Sequence, residues 1–283
     1  MKRISVTCYN CGESRSELYD EENGFTYVKC VGCGLVYLNP QPSQEEINSS
    51  HKMGMHRGDS TINVTGSYSP LKVKNYESVL KDFYTKESLS QDSLNWLDIG
   101  CGFGEFIESL GNYTGNKLKV IGSEPNKQKQ SFCVDRNLDV TFFDIESHDV
   151  KYDFISMLNV YSHLPDPVQF VRTLKSKLKD KGELFLETGH SSHLAAEDHH
   201  KPYYAPDHIS FANQSIVEDI LKRNGFEIVQ TKIYRHAQFP LITKNPVAVM
   251  KESAKILLNR NGSIKNLFPK SPNRDMYIRA RLA

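Results

Sequence analysis

The sequence predicts an α/β protein, an open and mostly parallel sheet with helices on both faces, preceded by a small cysteine-rich module. Three observations predict it. Four of the six cysteines, Cys8, Cys11, Cys30 and Cys33, lie at the N-terminus. The apolar run 94–99 passes directly into a glycine-rich turn, Gly100-x-Gly102-x-Gly104, and then into a helical pattern. From there to about residue 234, strand-like apolar runs alternate with helix-like ones, the signature of a sheet built by crossover connections.

Composition limits the function classes. The chain has 283 residues, 39% hydrophobic and 24% charged, which is enough apolar surface for a full core and too little charge for a disordered polyelectrolyte. A net charge of +1 excludes a surface built throughout to hold nucleic acid or an anionic membrane. No apolar run approaches the roughly 18 to 20 residues that span a bilayer. The first eight residues start basic but lack the apolar core of a secretory signal, so the expected location is the cytoplasm.

In the N-terminal module, residues 1–42, Cys8-x2-Cys11 and Cys30-x2-Cys33 are separated by 18 residues. Two residues between cysteines let one tight turn aim both sulfurs at one ion, and this spacing reads as a tetrathiolate zinc site in a zinc ribbon. Gly12 and Gly34 follow the pairs, and Phe25-Thr26-Tyr27-Val28 supplies a strand between them. Four thiolates close the tetrahedron, so the zinc is structural. The module carries four basic and five acidic residues, a poor surface for phosphates. Leu35 to Pro42 leaves it as an extended segment ended by two prolines.

Residues 43–90 form a linker. Its first part, 43–69, is polar and aperiodic and reads as a loop or a lid over a ligand. From Pro70 to about Leu89 the apolar residues recur at helical spacing, predicting one amphipathic helix. Residues 91–283 form the main domain.

The turn after residue 99 brings a ligand close to backbone N–H groups at a helix N-terminus. Glu105 stands where a dinucleotide fingerprint needs glycine or alanine, which disfavours a nicotinamide enzyme, and no phosphate-loop lysine is present. Further strands follow in order: Lys119 to Pro125, with Glu124 at its end; Val140 to Ile145, with Asp144; Tyr152 to Asn159, followed by Val160-Tyr161-Ser162-His163; and Gly182 to Thr188. A helix from Ser215 to Gly225, a strand from Phe226 to Tyr234 and a last strand from Met276 to Leu282 complete seven strands. Between the last two lies a long insert, 236–275, in which Val247 to Leu258 can be helical.

Asp98-x-Gly100-x-Gly102-x-Gly104, with the acid Glu124 and the ordered strands after it, resembles class I S-adenosylmethionine-dependent methyltransferases. The resemblance implies a Rossmann-like seven-stranded methyltransferase sheet and S-adenosylmethionine as cofactor. It implies that the cofactor's amino-acid end lies over Gly100, Gly102 and Gly104, its ribose on Glu124 and its adenine at Asp144. Asp98, Phe103, Ile145 and Asn159 are the further cofactor contacts it implies, and the insert is of a kind that covers the acceptor site or forms a homodimer interface. The zinc module ending in Cys33-Gly34-Leu35-Val36-Tyr37 and Asn39-Pro40-x-Pro42 extends the likeness to bacterial methyltransferases of sugar, polysaccharide and natural-product pathways.

Methyl transfer to oxygen needs a base beyond the C-terminal ends of the fourth and fifth strands. Six of the ten histidines fall there, at 163, 190, 193, 199, 200 and 208, together with Tyr161, Tyr203 and Tyr204. Histidine is the side chain best matched to deprotonation near neutral pH. His208, in Asp207-His208, and His190 are the preferred bases, and His163 and Tyr161 the further catalytic candidates. His190, His193, Glu197, Asp198 and His199 have side chains suited to a second divalent ion.

From Lys232 onward, eleven basic residues face two acidic ones, a stretch suited to a phosphate-bearing small-molecule acceptor. Sugar C-methyltransferases with such a zinc module carry a further C-terminal domain, which is missing after Ala283, so O-methylation of a small hydroxylated or phosphorylated acceptor is expected. The rival readings are a sugar C-methyltransferase, an RNA methyltransferase with a zinc ribbon, and a non-catalytic interaction protein.

Overall fold

The computed structural model describes residues 2–91, 93–235, 246–258 and 274–283. The N-terminal module comprises β1 (Arg3–Ile4), β2 (Ser16–Glu22), β3 (Phe25–Cys30), β4 (Val36–Leu38) and β5 (Gln41–Pro42). β2 and β3 form a hairpin through Asn23-Gly24, both in the left-handed region that a two-residue turn needs. β5 returns to pair with β1, closing the module against its own start.

The polar segment read as a loop is structured. Ser43 caps α1 (Gln44–Met53) by accepting a hydrogen bond from Glu46, and Gly54 ends it in the left-handed conformation, donating to the Ser50 carbonyl. A small hairpin follows, β6 (Met55–Arg57) with β7 (Thr61–Asn63). Hydropathy concealed the helix because it buries only Ile47 and Ser50. α2 (Pro70–Phe83) buries Val73, Tyr76, Val79, Leu80 and Phe83 at the predicted spacing. It ends before Leu89 because Tyr84 turns extended and packs its ring on Trp96, with α3 (Lys86–Leu89) restarting from a Thr85 cap.

The main domain continues with β8 (Asn95–Ile99), α4 (Glu105–Thr114), β9 (Lys119–Ser123), α5 (Lys127–Asp135), β10 (Val140–Thr141) and β11 (Tyr152–Leu158). After a 3₁₀ turn at Tyr161–His163 come α6 (Pro167–Lys177), β12 (Leu178–Gly189), β13 (Ser210–Phe211), α7 (Gln214–Arg223), β14 (Phe226–Tyr234), α8 (Pro246–Leu257) and β15 (Asp275–Leu282). The seven-stranded sheet runs β10-β9-β8-β11-β12-β15-β14, with β15 alone antiparallel to its neighbours. Strand order reverses between β8 and β11, which opens the crevice where ligands of such sheets sit. β10 is shorter than expected: it is an edge strand, and the chain leaves it at an exposed Phe142. Of the insert, the predicted helix is present as α8; residues 236–245 and 259–273 lie outside the described part.

One face of the sheet buries an aromatic cluster of Tyr76, Phe83, Trp96, Phe106, Phe185 and Tyr277. The other packs Leu97, Ile155, Val171, Leu184 and Ile216 in one cluster with Cys8, Cys30, Leu35 and Tyr37 of the N-terminal module. The two parts also share a sheet, because β13 pairs with β4 through Ser210 to Tyr37 and Phe211 to Val36. No helix among the described residues is long and apolar enough to cross a membrane.

Candidate functional site

The glycine turn joins β8 to α4 with Gly100, Gly102 and Gly104 all at positive φ. Gly100 shows why glycine is needed: a Cβ there would lie 2.5 Å from Val160 Cγ2. Glu124, buried after β9, holds the turn from the next strand. Its Oε2 accepts from Gly102 N at 2.9 Å and its Oε1 from Asn126 N at 2.9 Å. Asp98, at 1% exposure, accepts from Ser156 Oγ at 2.6 Å, and Trp96 Nε1 donates to that hydroxyl in turn. Burial pushes the Asp98 carboxyl up to about 7, against the hydrogen bond from Ser156.

The other residues named from sequence surround this turn. Phe103 is buried edge-on to Phe132. Asp144 is exposed in the turn after β10, accepting from Glu146 N, and Ile145 packs half-buried on the core. Asn159 sits at positive φ at the end of β11, its N–H donating to the Glu187 carbonyl of β12. The polar linker lies alongside: Gly54 is close enough to the Asn126 amide that a Cβ would meet it at 2.9 Å.

Beyond β11 and β12 the histidines divide. His163, on the 3₁₀ turn, sets Nδ1 3.2 Å from Asp207 Oδ1 and 2.9 Å from the Asp207 carbonyl. His208 places Nδ1 2.8 Å from the Tyr203 carbonyl and its ring 4.7 Å from that of His163. Burial opposes charge on His163, but the Asp207 carboxylate and its hydrogen bonds outweigh it and raise the imidazole. Burial, then the His163 charge, pushes His208 down to about 4. The two neighbouring imidazoles are thus pushed in opposite directions, His163 up by its carboxylate and His208 down by burial and by His163.

The linker adds two imidazoles that sequence reasoning missed. His56 Nε2 lies 2.9 Å from Asp207 Oδ1, and the His51 ring lies 5.7 Å from that of His56 and 6.1 Å from that of His163. Both sit in a segment read as a loop, and nothing in their local spacing points to Asp207.

His190 and Tyr161 stand apart from this group. His190 follows β12, accepting from Gln214 N at Nδ1 and packing on His193. Tyr161 is fully buried in the core shared with the N-terminal module. The second-metal set expected at His190, His193, Glu197, Asp198 and His199 is not brought together. His199 packs among Tyr19, Tyr203 and Phe211, while the metal-suited groups among the described residues are the four cysteines and His51, His163 and Asp207.

The four sulfurs lie within 4.8 Å of one another, with Cys8 to Cys33 and Cys11 to Cys30 each at 3.5 Å. Tetrahedral zinc with bonds of about 2.3 Å needs sulfurs roughly 3.8 Å apart, so the donor set fits. Gly12 N donates to the Cys8 carbonyl and Gly34 N to the Cys30 carbonyl, forming the two knuckle turns.

The module also grips the loop that carries Asp207 and His208. Glu22 accepts from Tyr203 N and Ala205 N, Asp20 from Tyr203 Oη, and Tyr27 Oη donates to the His208 carbonyl at 2.6 Å. At the far end of the sheet, Arg279 and Arg281 both bind the carboxylate of Glu183. That part of the basic C-terminal stretch is consumed by an internal ion pair.

The model of a methyltransferase domain family matches residues 73–231, more than half of the chain, and the chain belongs to that family. It is 26% identical over 150 residues to the mitochondrial ubiquinone biosynthesis O-methyltransferase of Dictyostelium discoideum, covering 45% of this chain and 46% of that one. It is 31% identical over 120 residues to the tRNA U34 carboxymethyltransferase of Campylobacter jejuni, 39% of each. The chain thus spans about half the length, or less, of these curated relatives. Among solved structures, a putative sarcosine dimethylglycine methyltransferase from Galdieria sulphuraria shares the fold at a TM-score of 0.51 and 12% identity, over 77% of this chain and 92% of that one.

Proposed function

We propose that the protein is an S-adenosylmethionine-dependent methyltransferase that methylates an oxygen of a small hydroxylated acceptor. The observation that carries this reading is the placing of two unlike half-sites at one edge of the sheet. The glycine turn with Glu124 faces the crevice from β8 and β9, and the His163, Asp207 and His208 group stands beyond β11 and β12.

In this reading S-adenosylmethionine supplies the methyl electrophile. Gly100, Gly102 and Gly104 leave backbone room for its amino-acid end, Glu124 receives the ribose and Asp144 the adenine edge, with Phe103, Ile145, Asn159 and Asp98 around them. His208, with its ring beside that of His163, takes the acceptor proton as the oxygen attacks. Asp207 holds His163 in place. His190 and Tyr161 are the less favoured candidates, since His190 lies outside the group and Tyr161 is enclosed in the core.

The four cysteines hold a zinc ion whose role is to fix the ribbon, and through it the 203–208 loop. The O-methyltransferase relatives favour oxygen as the methylated atom. A phosphate on the acceptor would meet Arg274, whose carbonyl accepts from His190 N, rather than Arg279 or Arg281.

Calorimetry with S-adenosylmethionine tests the reading. The wild type should bind one equivalent, and Glu124→Ala should bind at least tenfold more weakly while melting cooperatively. A native wild-type protein that binds none overturns it. Transfer of labelled methyl to a panel of catechols, hydroxylated sugars and nucleotide-sugars then identifies the acceptor, and His208→Gln should lower kcat more than it raises KM.

A further inference from the structure

A group of side chains around Asp207 is assembled from segments far apart in the chain: His51 on α1, His56 on β6, His163 on the 3₁₀ turn, and Asp207 on the loop before β13. One donor atom each of His51, His163 and Asp207 lies within 4.8 Å of the other two. His51 Nε2 and His56 Nε2 are both enclosed and lack a hydrogen-bond partner among the described residues, although His56 Nε2 comes within 2.9 Å of Asp207 Oδ1. The His56 side chain is only 3% exposed and that of Asp207 11%.

Enclosed imidazole nitrogens left unpartnered are costly, about 1 to 3 kcal/mol each. His56 Nε2 has the Asp207 carboxylate within reach, but His51 Nε2 has no such contact and lies beside the same buried carboxylate and His163, so it calls for a partner that these groups can share. A proton can satisfy only one nitrogen at a time, whereas a cation can accept lone pairs from several donors at once.

We propose that His51, His163 and Asp207 bind a divalent transition-metal ion, with His56 orienting the Asp207 carboxylate. Two imidazoles and a carboxylate are borderline donors suited to zinc, manganese, iron(II) or cobalt, and are chemically distinct from the thiolates of the ribbon. Three protein donors leave coordination positions open, unlike the closed set of four cysteines. On the methyltransferase reading an open position there would face the acceptor oxygen; the binding itself does not depend on that reading.

Cobalt(II) is the probe, titrated into the purified full chain freed of metal, with bound metal counted by mass spectrometry. The wild type should take two equivalents. One gives the intense near-ultraviolet thiolate-to-cobalt band, and the other gives only weak visible bands. His51→Gln and His163→Gln should each keep the thiolate band and lose the second equivalent, or bind it at least tenfold more weakly. Retention of the thiolate band reports a folded ribbon, and the melting curve a folded core.

Uptake of a single equivalent by the wild type overturns the proposal. So does a second equivalent that binds equally well to both variants. Calorimetry with S-adenosylmethionine is independent of either result, so a protein that binds the cofactor and one metal refutes this site alone.

Discussion

Replacing Glu22 measures how far the N-terminal module determines the shape of the 203–208 loop. Its two carboxylate oxygens accept from Tyr203 N at 2.8 Å and from Ala205 N at 2.9 Å, bridging more than 180 residues of sequence. Hydrogen bonds to a charged acceptor contribute about 1.5 to 3 kcal/mol each when well enclosed. Glu22 is half-buried, so solvent offsets part of this, and the pair should contribute about 2 kcal/mol to keeping the loop closed. Glu22→Ala should then raise the open population of the loop about 30-fold, at roughly 1.4 kcal/mol per factor of ten. Hydrogen exchange at the Tyr203 and Ala205 amides reads this directly. Both should lose about 30-fold in protection while amides of β8 and β11 keep theirs. The His208 ring, tied through Nδ1 to the Tyr203 carbonyl, should change its chemical shift in the same variant. Glu17→Ala, an exposed site on the same strand, serves as control. Protection at Tyr203 and Ala205 within twofold of the wild type would refute the claim that the module holds the loop.

Three further outcomes follow from the same geometry. Gly100→Ala should destabilise more than Gly102→Ala in urea unfolding. Both force an L-residue to positive φ at about 1 to 2 kcal/mol, but only the first drives a Cβ to 2.5 Å from Val160, whereas at Gly102 the nearest atom is 3.9 Å away; equal midpoints would contradict this. Asp98 is a carboxyl raised by burial to about 7, so its folded state holds a proton that the unfolded chain releases near pH 4. Its contribution is complete below the unfolded value and is lost as pH rises through about 7, and Asp98→Asn should remove up to ~1.4 kcal/mol per pH unit of decline between pH 5 and 7; an unchanged slope would count against a buried, protonated Asp98. Chelation or Cys30→Ser should lower the melting temperature of the whole chain, because Cys8 and Cys30 share one cluster with Leu97, Ile155 and Ile216; a main-domain transition unmoved by zinc loss would show the two parts to be separable.

What could be read from the sequence was local. A strand, a tight turn and a helix occupy adjacent residues, so Leu94 to Ile107 declares itself, and each later strand ends in a residue whose place follows from the topology. The tetrathiolate spacing is equally local, since each knuckle is made by four consecutive residues. α1 was hidden because a helix lying on the surface of a larger body needs only Ile47 as its apolar anchor, and one anchor has no period. The grouping of His51 and His56 with Asp207 was hidden for a different reason. It depends on the linker folding back over the switch point, which is decided by tertiary packing and leaves no mark in the spacing of either histidine. Tyr161 shows the converse: its position after the fourth strand suggests a site, while its side chain is buried in the core that the ribbon completes.

The joining of ribbon and sheet changes what the charge distribution means. A near-neutral chain with an acidic N-terminus and a basic C-terminus invites a reading in which each end meets its own partner. In the folded protein Asp20 and Glu22 are directed inward, onto Tyr203 and Ala205, and Arg279 and Arg281 onto Glu183. Four of the charges on which an electrostatic case for or against nucleic acid would rest thus already have an internal partner. The acids of the ribbon therefore act as positioning groups for the loop that carries Asp207 and His208. The cysteine knuckles, far away in sequence, then reach that loop by a chain of direct contacts, through β2 and β3 to Glu22 and Tyr27, and from these to Tyr203 and His208.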